Sequence, residues 1–296
     1  MIFDVLLSLS KNKKMPNNNF YIGYMEKMPA SFRKPVRLFV LAAAILFSIG
    51  SFLIVRSQQA FSTATFELGQ LTTVEGILRM EPAPMLQLET GKDSKGRPIL
   101  QSILLIGFGK HGAEATLEKV EAQRKLKLDG KKLKLEGTLI YHDGKTLLEL
   151  TQKEKSILDV LDVAPLNRQL TELGQTTLRG EIADPKCYFG VMKPGEGKVH
   201  RSCAARCIAG GIPPIFKAVS NDGQVQYFII EGEDGEPINQ QLLPIVGEPV
   251  QLTGSVVQYD DWLVLRLKDA SSAQRLGARF MLEAPMCNSG PLSWPD

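Results

Sequence analysis

Three cysteines and a histidine stand close together in one stretch of this chain. Cys187, His200, Cys203 and Cys207 are spaced C-x12-H-x2-C-x3-C. Thiolates with an imidazole are ligands suited to zinc, copper(I) or an iron–sulfur cluster. Residues 198–209 read as a helix. Gly210-Gly211 stops it and Pro213-Pro214 prevents its continuation. On a helix, positions 200, 203 and 207 fall in one stripe about 60° wide. Cys187 lies 13 residues before His200, across a Pro-Gly turn that can bring it back. The four side chains are expected to form one tetrahedral metal site, with Met192 as a further soft donor nearby.

Two other chemistries compete for these residues. Disulfides form in oxidising compartments, and Cys187 to Cys203 or Cys207 is the better bridge there. Cys203 and Cys207 would point nearly parallel within a helix, which suits a bridge poorly. Cys287, in the Pro-rich stretch 284–296, would close a second bridge. Arg206 beside Cys207, with Arg201 and His200 on the same helix, would lower thiol pKa values as a redox-active pair requires. No spacing for a Ser/His/Asp triad or paired catalytic carboxylates is present, and no H-E-x-x-H or G-x-S-x-G string occurs. A binding role is therefore expected ahead of an enzyme.

Gly107, Gly109 and Gly112 spell G-x-G-x-x-G between a predicted strand and a predicted helix at 113–125. A dinucleotide fold needs several βαβ units, and only one such passage exists. No nucleotide cofactor is expected. The glycines read as a turn, with Lys110 and His111 placed to meet an anion at the helix start.

The elements around these motifs occur twice. Glu67–Gly76 reads ELGQLTTVEG and Glu172–Gly180 reads ELGQTTLRG. Residues 130–150 and 247–267 align without a gap, placing Gly137 against Gly254. Alternation of apolar and polar residues predicts strands near 72–80, 85–90, 99–106, 131–141 and 145–152 in the first copy. The second copy repeats them near 176–184, 215–220, 225–231, 248–259 and 262–268, with a short helix near 238–245. Three strands, a helix and two strands is the order of an OB-fold barrel. The expected fold is mainly β: an N-terminal transmembrane helix, then two tandem OB-fold-like five-stranded barrels. The barrels would occupy 66–155 and 170–270, joined by a linker at 156–169 and followed by a tail at 271–296. The Cys/His segment is an insertion at 185–214 between the first two strands of the second copy.

Leu38–Val55 is an uncharged apolar run. As a helix it would reach about 27 Å, close to a bilayer's hydrocarbon thickness. Residues 1–37 carry seven Lys/Arg and two acids, whereas the rest of the chain carries 28 basic and 30 acidic residues. The basic flank would keep the N-terminus in the cytoplasm and put the remainder in the periplasm, anchored in the inner membrane. The near-neutral remainder argues against nucleic acid as a partner. A cytoplasmic tail, one helix and an exterior OB barrel resembles the plan of the haem chaperone of cytochrome c maturation. That family's H-x-x-x-Y string is absent, since none of His111, His142 and His200 has Tyr four residues later. The sequence thus points to a membrane-anchored Cys/His protein serving an electron-transfer or cofactor-assembly complex with a protein partner. The alternatives are a scaffold stapled by disulfides and a thiol oxidoreductase.

Overall fold

A computed structural model describes residues 30–57, 64–163, 168, 170–220 and 223–277. The chain is mainly β and forms two compact units, one ending at Ala60 and one beginning at Phe61. In the first unit, helix α1 spans Ala30–Ser57. Within it, Phe32–Arg56 has a mean hydropathy of 2.7 and none of it is buried. It is long and apolar enough to cross a membrane.

The second unit opens with a short strand β1 (Thr65–Phe66), then β2 (Thr72–Arg79), β3 (Met85–Lys92) and β4 (Pro98–Gly107). Helix α2 (Glu114–Arg124) leads to β5 (Lys132–His142), β6 (Lys145–Leu150) and β7 (Ile157–Leu161). Period-two burial produces these strands: in β5, Leu133 and Leu135 are buried while Lys134 is exposed. Antiparallel ladders join β5–β2–β3–β4, a parallel ladder joins β4 to β6, and β6 pairs back onto β5. This closes a five-stranded barrel. Its core holds Leu78, Leu86, Leu105, Leu117, Leu133 and Leu148, all essentially inaccessible. Each such side chain contributes about 1.5–3 kcal/mol through burial.

The second sheet uses β8 (Leu170–Ala183), β9 (Ile215–Val219), β10 (Val225–Gly232), β11 (Pro249–Tyr259) and β12 (Trp262–Leu267). Helix α3 (Gly197–Ala209) lies between β8 and β9, and the single turn α4 (Asn239–Leu242) lies between β10 and β11. Pairing runs β8–β9–β10–β12–β11, with β11 returning to β8 and a short β13 (Gln274–Arg275) at its edge. Thr72 faces Gly137 as Thr176 faces Gly254, and Gly76 faces Leu133 as Gly180 faces Val250. A Cβ on Gly76 would stand 2.7 Å from Gln87 O, and one on Gly180 2.0 Å from Lys217 O. At these positions each strand passes so close to the next that only glycine fits.

Two elements depart from expectation. Residues 157–161, read as linker, form β7 against β5, because Ile157 buries beside the barrel core. Strand β8 begins at Leu170, well before residue 176, since β11 is long enough to pair with all of it through a bulge at Val256/Val257.

A further core lies where the two sheets meet. Leu104, Ile106 and Leu147 from the first pack in one cluster with Phe189, Ile229 and Trp262 from the second. Trp262 Nε1 donates to Ser102 O at 2.9 Å, and Gln87 Nε2 donates to Asp260 Oδ2 at 2.8 Å. Lys145 Nζ sits 4.5 Å from the centre of the Trp262 ring. The sheets therefore pack as one body, and the Cys/His segment sits at their seam.

Candidate metal centre

The segment after β8 begins with an Asx turn. Asp184 Oδ1 accepts from the Lys186 amide at 2.9 Å, and Tyr188 N donates to Asp184 O. A tight turn over Cys187–Val191 follows and buries Cys187. Helix α3 then runs to Ala209, directing His200, Ala204, Cys207 and Ile208 inward and leaving Cys203 half-buried. Beyond the helix, Gly211 has φ +97°, and Ile212 N reaches back to Cys207 O.

The structure gathers the four sequence-predicted ligands into two overlapping groups. The sulfurs of Cys187, Cys203 and Cys207 lie within 4.8 Å of one another. His200 lies apart from Cys203 and Cys207 and forms a second group, on the same distance criterion, with Cys187 and Asp184. For Cys207 the physical reason is helix rise. His200 and Cys207 share a stripe, but seven residues advance the axis by about 10 Å, more than one ion's coordination shell spans. Either group could hold a metal ion. All three thiols are free, with no disulfide between them. Cys287 falls outside the described residues.

Sequence reasoning passed over two contributors. Asp184 was visible only as a carboxylate three residues before Cys187, a spacing that a tight turn closes. Lys110, assigned to an anion at the α2 start, instead donates to Cys203 Sγ at 2.8 Å and lies 3.7 Å from Cys207 Sγ. The glycine pattern explains how it arrives. A Cβ on Gly112 would stand 2.2 Å from Gly211 O, and one on Gly210 1.8 Å from Lys110 O. Gly112 N donates to Gly210 O at 3.0 Å. The glycines let the first barrel's loop lie backbone-to-backbone on the end of α3. Lys186 fastens the same loop through Gly109 O at 2.6 Å and a buried ion pair with Glu149.

The site's electrostatics follow from these contacts. The Cys203 hydrogen bond raises the Lys110 pKa, keeping a cation at the thiols. Cys187 is pushed far up by its hydrogen bond with Cys207, by burial and by the Asp184 charge, so a metal must displace its proton. Burial lowers the His200 pKa, which favours the neutral imidazole that binds metals. On the open side, a cavity of about 670 Å³ reaches Cys203 and Cys207 between Phe66, Leu71, Phe108 and Met192.

No protein-family model and no curated protein matches this chain. The functional reading rests on the site itself.

Proposed function

We propose that this chain is a single-pass membrane protein whose exterior part is a tandem pair of OB-like barrels presenting a soft-metal centre. The shared ring of pairings and the matching registers of Thr72/Gly137 and Thr176/Gly254 support two copies of one barrel. The basic flank before α1 supports a cytoplasmic N-terminus and a periplasmic remainder.

One observation carries the reading: three unbridged thiols converge within 4.8 Å, and one of them, Cys203, is half-buried at a cavity. Structural zinc sites are closed, whereas sites that exchange ligands keep a position open. Three thiolates around a zinc or copper(I) ion, compensated by Lys110, would leave a coordination position toward that cavity. Such a centre suits receiving or passing an ion within a metal- or cofactor-assembly complex, and the apolar cavity would admit the partner's ligand.

The test is elemental analysis with a thiol count on the full chain, purified in detergent without reducing agent. The expected result is a stoichiometric thiophilic metal, with thiols that react only after chelation. Cys203→Ser should lose that metal, because a serine hydroxyl is a poor ligand for a soft ion. Absence of both metal and reactive thiols would favour a disulfide-stapled scaffold and end the metal reading.

A further inference from the structure

We infer that Asp184, Cys187 and His200 form a second ion site sharing Cys187 with the thiol trio, so that the centre holds two zinc ions bridged by one thiolate. This rests on the metal-binding role proposed above and extends it inward.

The observations concern groups that the thiol trio does not use. Asp184 is wholly inaccessible, and Cys187 and His200 are each 4% exposed. One ligand atom from each lies within 4.8 Å of the other two. Asp184 Oδ2 and His200 Nε2 are both buried without a hydrogen-bond partner. Leaving a buried polar atom without a partner is costly, and two in one group call for a common cause. One cation between them would satisfy both.

The Asp184 charge also needs a partner. A single divalent ion on three thiolates leaves a net negative charge, which Lys110 offsets from the cavity side. Among the described residues, that arrangement leaves the Asp184 carboxylate without an ion-pair partner. Lys186, two residues on, has its ammonium committed to Glu149 and Gly109 O. With Lys110 counted, a second divalent ion turns the net charge of the centre from −1 to +1 and gives the carboxylate its countercharge. The mixed donor set selects the ion class: oxygen, nitrogen and sulfur together suit zinc, whereas copper(I) favours sulfur alone. A thiolate has lone pairs for two metals, and Cys187 is the residue common to both groups.

The experiment strips the full-length chain in detergent with a chelator, reloads it with Zn²⁺ alone, and counts bound ions by native mass spectrometry. The wild-type chain should bind two. Asp184→Asn and His200→Gln should each fall to one, Cys203→Ser should keep the inner ion only, and Cys187→Ser should lose both. Circular dichroism of each chelated variant checks that it folds, and the wild-type count decides the question even where a variant does not. A wild-type count of one overturns the second site while the thiol centre stands. So does a count of two that both Asp184→Asn and His200→Gln retain. A wild-type count of zero overturns the metal-binding proposal itself.

Discussion

The first barrel passes from β2 to β3 through residues 80–84, whereas the second sheet passes from β8 to β9 through residues 184–214. Around that difference the two are built alike. Each ring runs three antiparallel strands into one parallel pairing and closes on its first strand. Each presses a glycine of its first strand against the next. The ring therefore tolerates what is inserted at this connection, and the candidate chemistry is confined to the insertion. The insertion is nevertheless incomplete alone. Its thiols receive their cation from Lys110, and its helix end is covered by the glycine loop, both from the first barrel. The second sheet's segment carries the ligands while the first barrel carries the countercharge and the cover.

The largest test of that division falls on the seam. Trp262 is fully buried there and is held by Ser102 O. Trp262→Ala should cost about 4 kcal/mol, from lost burial and the cavity left behind. Urea unfolding of the full chain in detergent measures it. A cost below about 1 kcal/mol would show that the seam is not a shared core, since exposed sites cost that little.

A smaller effect separates glycines needed at the junction from glycines that merely occur. Gly210→Ala places a methyl group against Lys110 O and should cost about 2–3 kcal/mol, as overpacking does. Gly91, in β3, would have nothing within 4 Å of an added Cβ. Gly91→Ala should stay within about 0.5 kcal/mol of the parent. Equal costs at the two positions would remove the close-approach account of the glycine loop. In metal-free Gly210→Ala the Cys203 thiol should also react more slowly with an alkylating probe, because Lys110 can no longer be seated beside it to stabilise the thiolate.

Strand positions were legible because burial in a barrel wall has a period of two, and β5 shows it residue by residue. The end of α3 was legible because two glycines and two prolines leave a helix no way to continue. The division of the ligands was not. Helical-wheel arithmetic keeps angle and discards rise, so it placed His200 and Cys207 together although they stand about 10 Å apart along the axis. Lys110 was out of reach for another reason. Its partner Cys203 lies 93 residues away, and no local pattern encodes which loop of the barrel will cover the segment after β8. Gly107, Gly109 and Gly112 signalled a close backbone approach without naming the partner. Asp184 offered only its spacing to Cys187.

The smallest effect concerns a charge that belongs to both sheets. Lys145 comes from the first barrel, and its ammonium lies over Trp262 and donates to Asp261 O of the second. Burial lowers its pKa, and the nearby Asp261 and Asp143 charges only partly offset that. A lysine whose folded pKa is depressed binds fewer protons in the native state than in the unfolded chain across the window between its two pKa values. The native state is therefore penalised below that window, and the penalty is relieved as pH rises toward the ordinary lysine value of 10.5. Other groups also titrate at alkaline pH, so the comparison must be between chains. Lys145→Met retains the apolar stem over the indole and removes the charge. The melting temperature of the parent minus that of Lys145→Met should rise with pH above neutrality. If the difference is flat or falls, the ammonium is not held away from water at the seam, and Lys145 lies on the surface of the first barrel instead of between the two sheets.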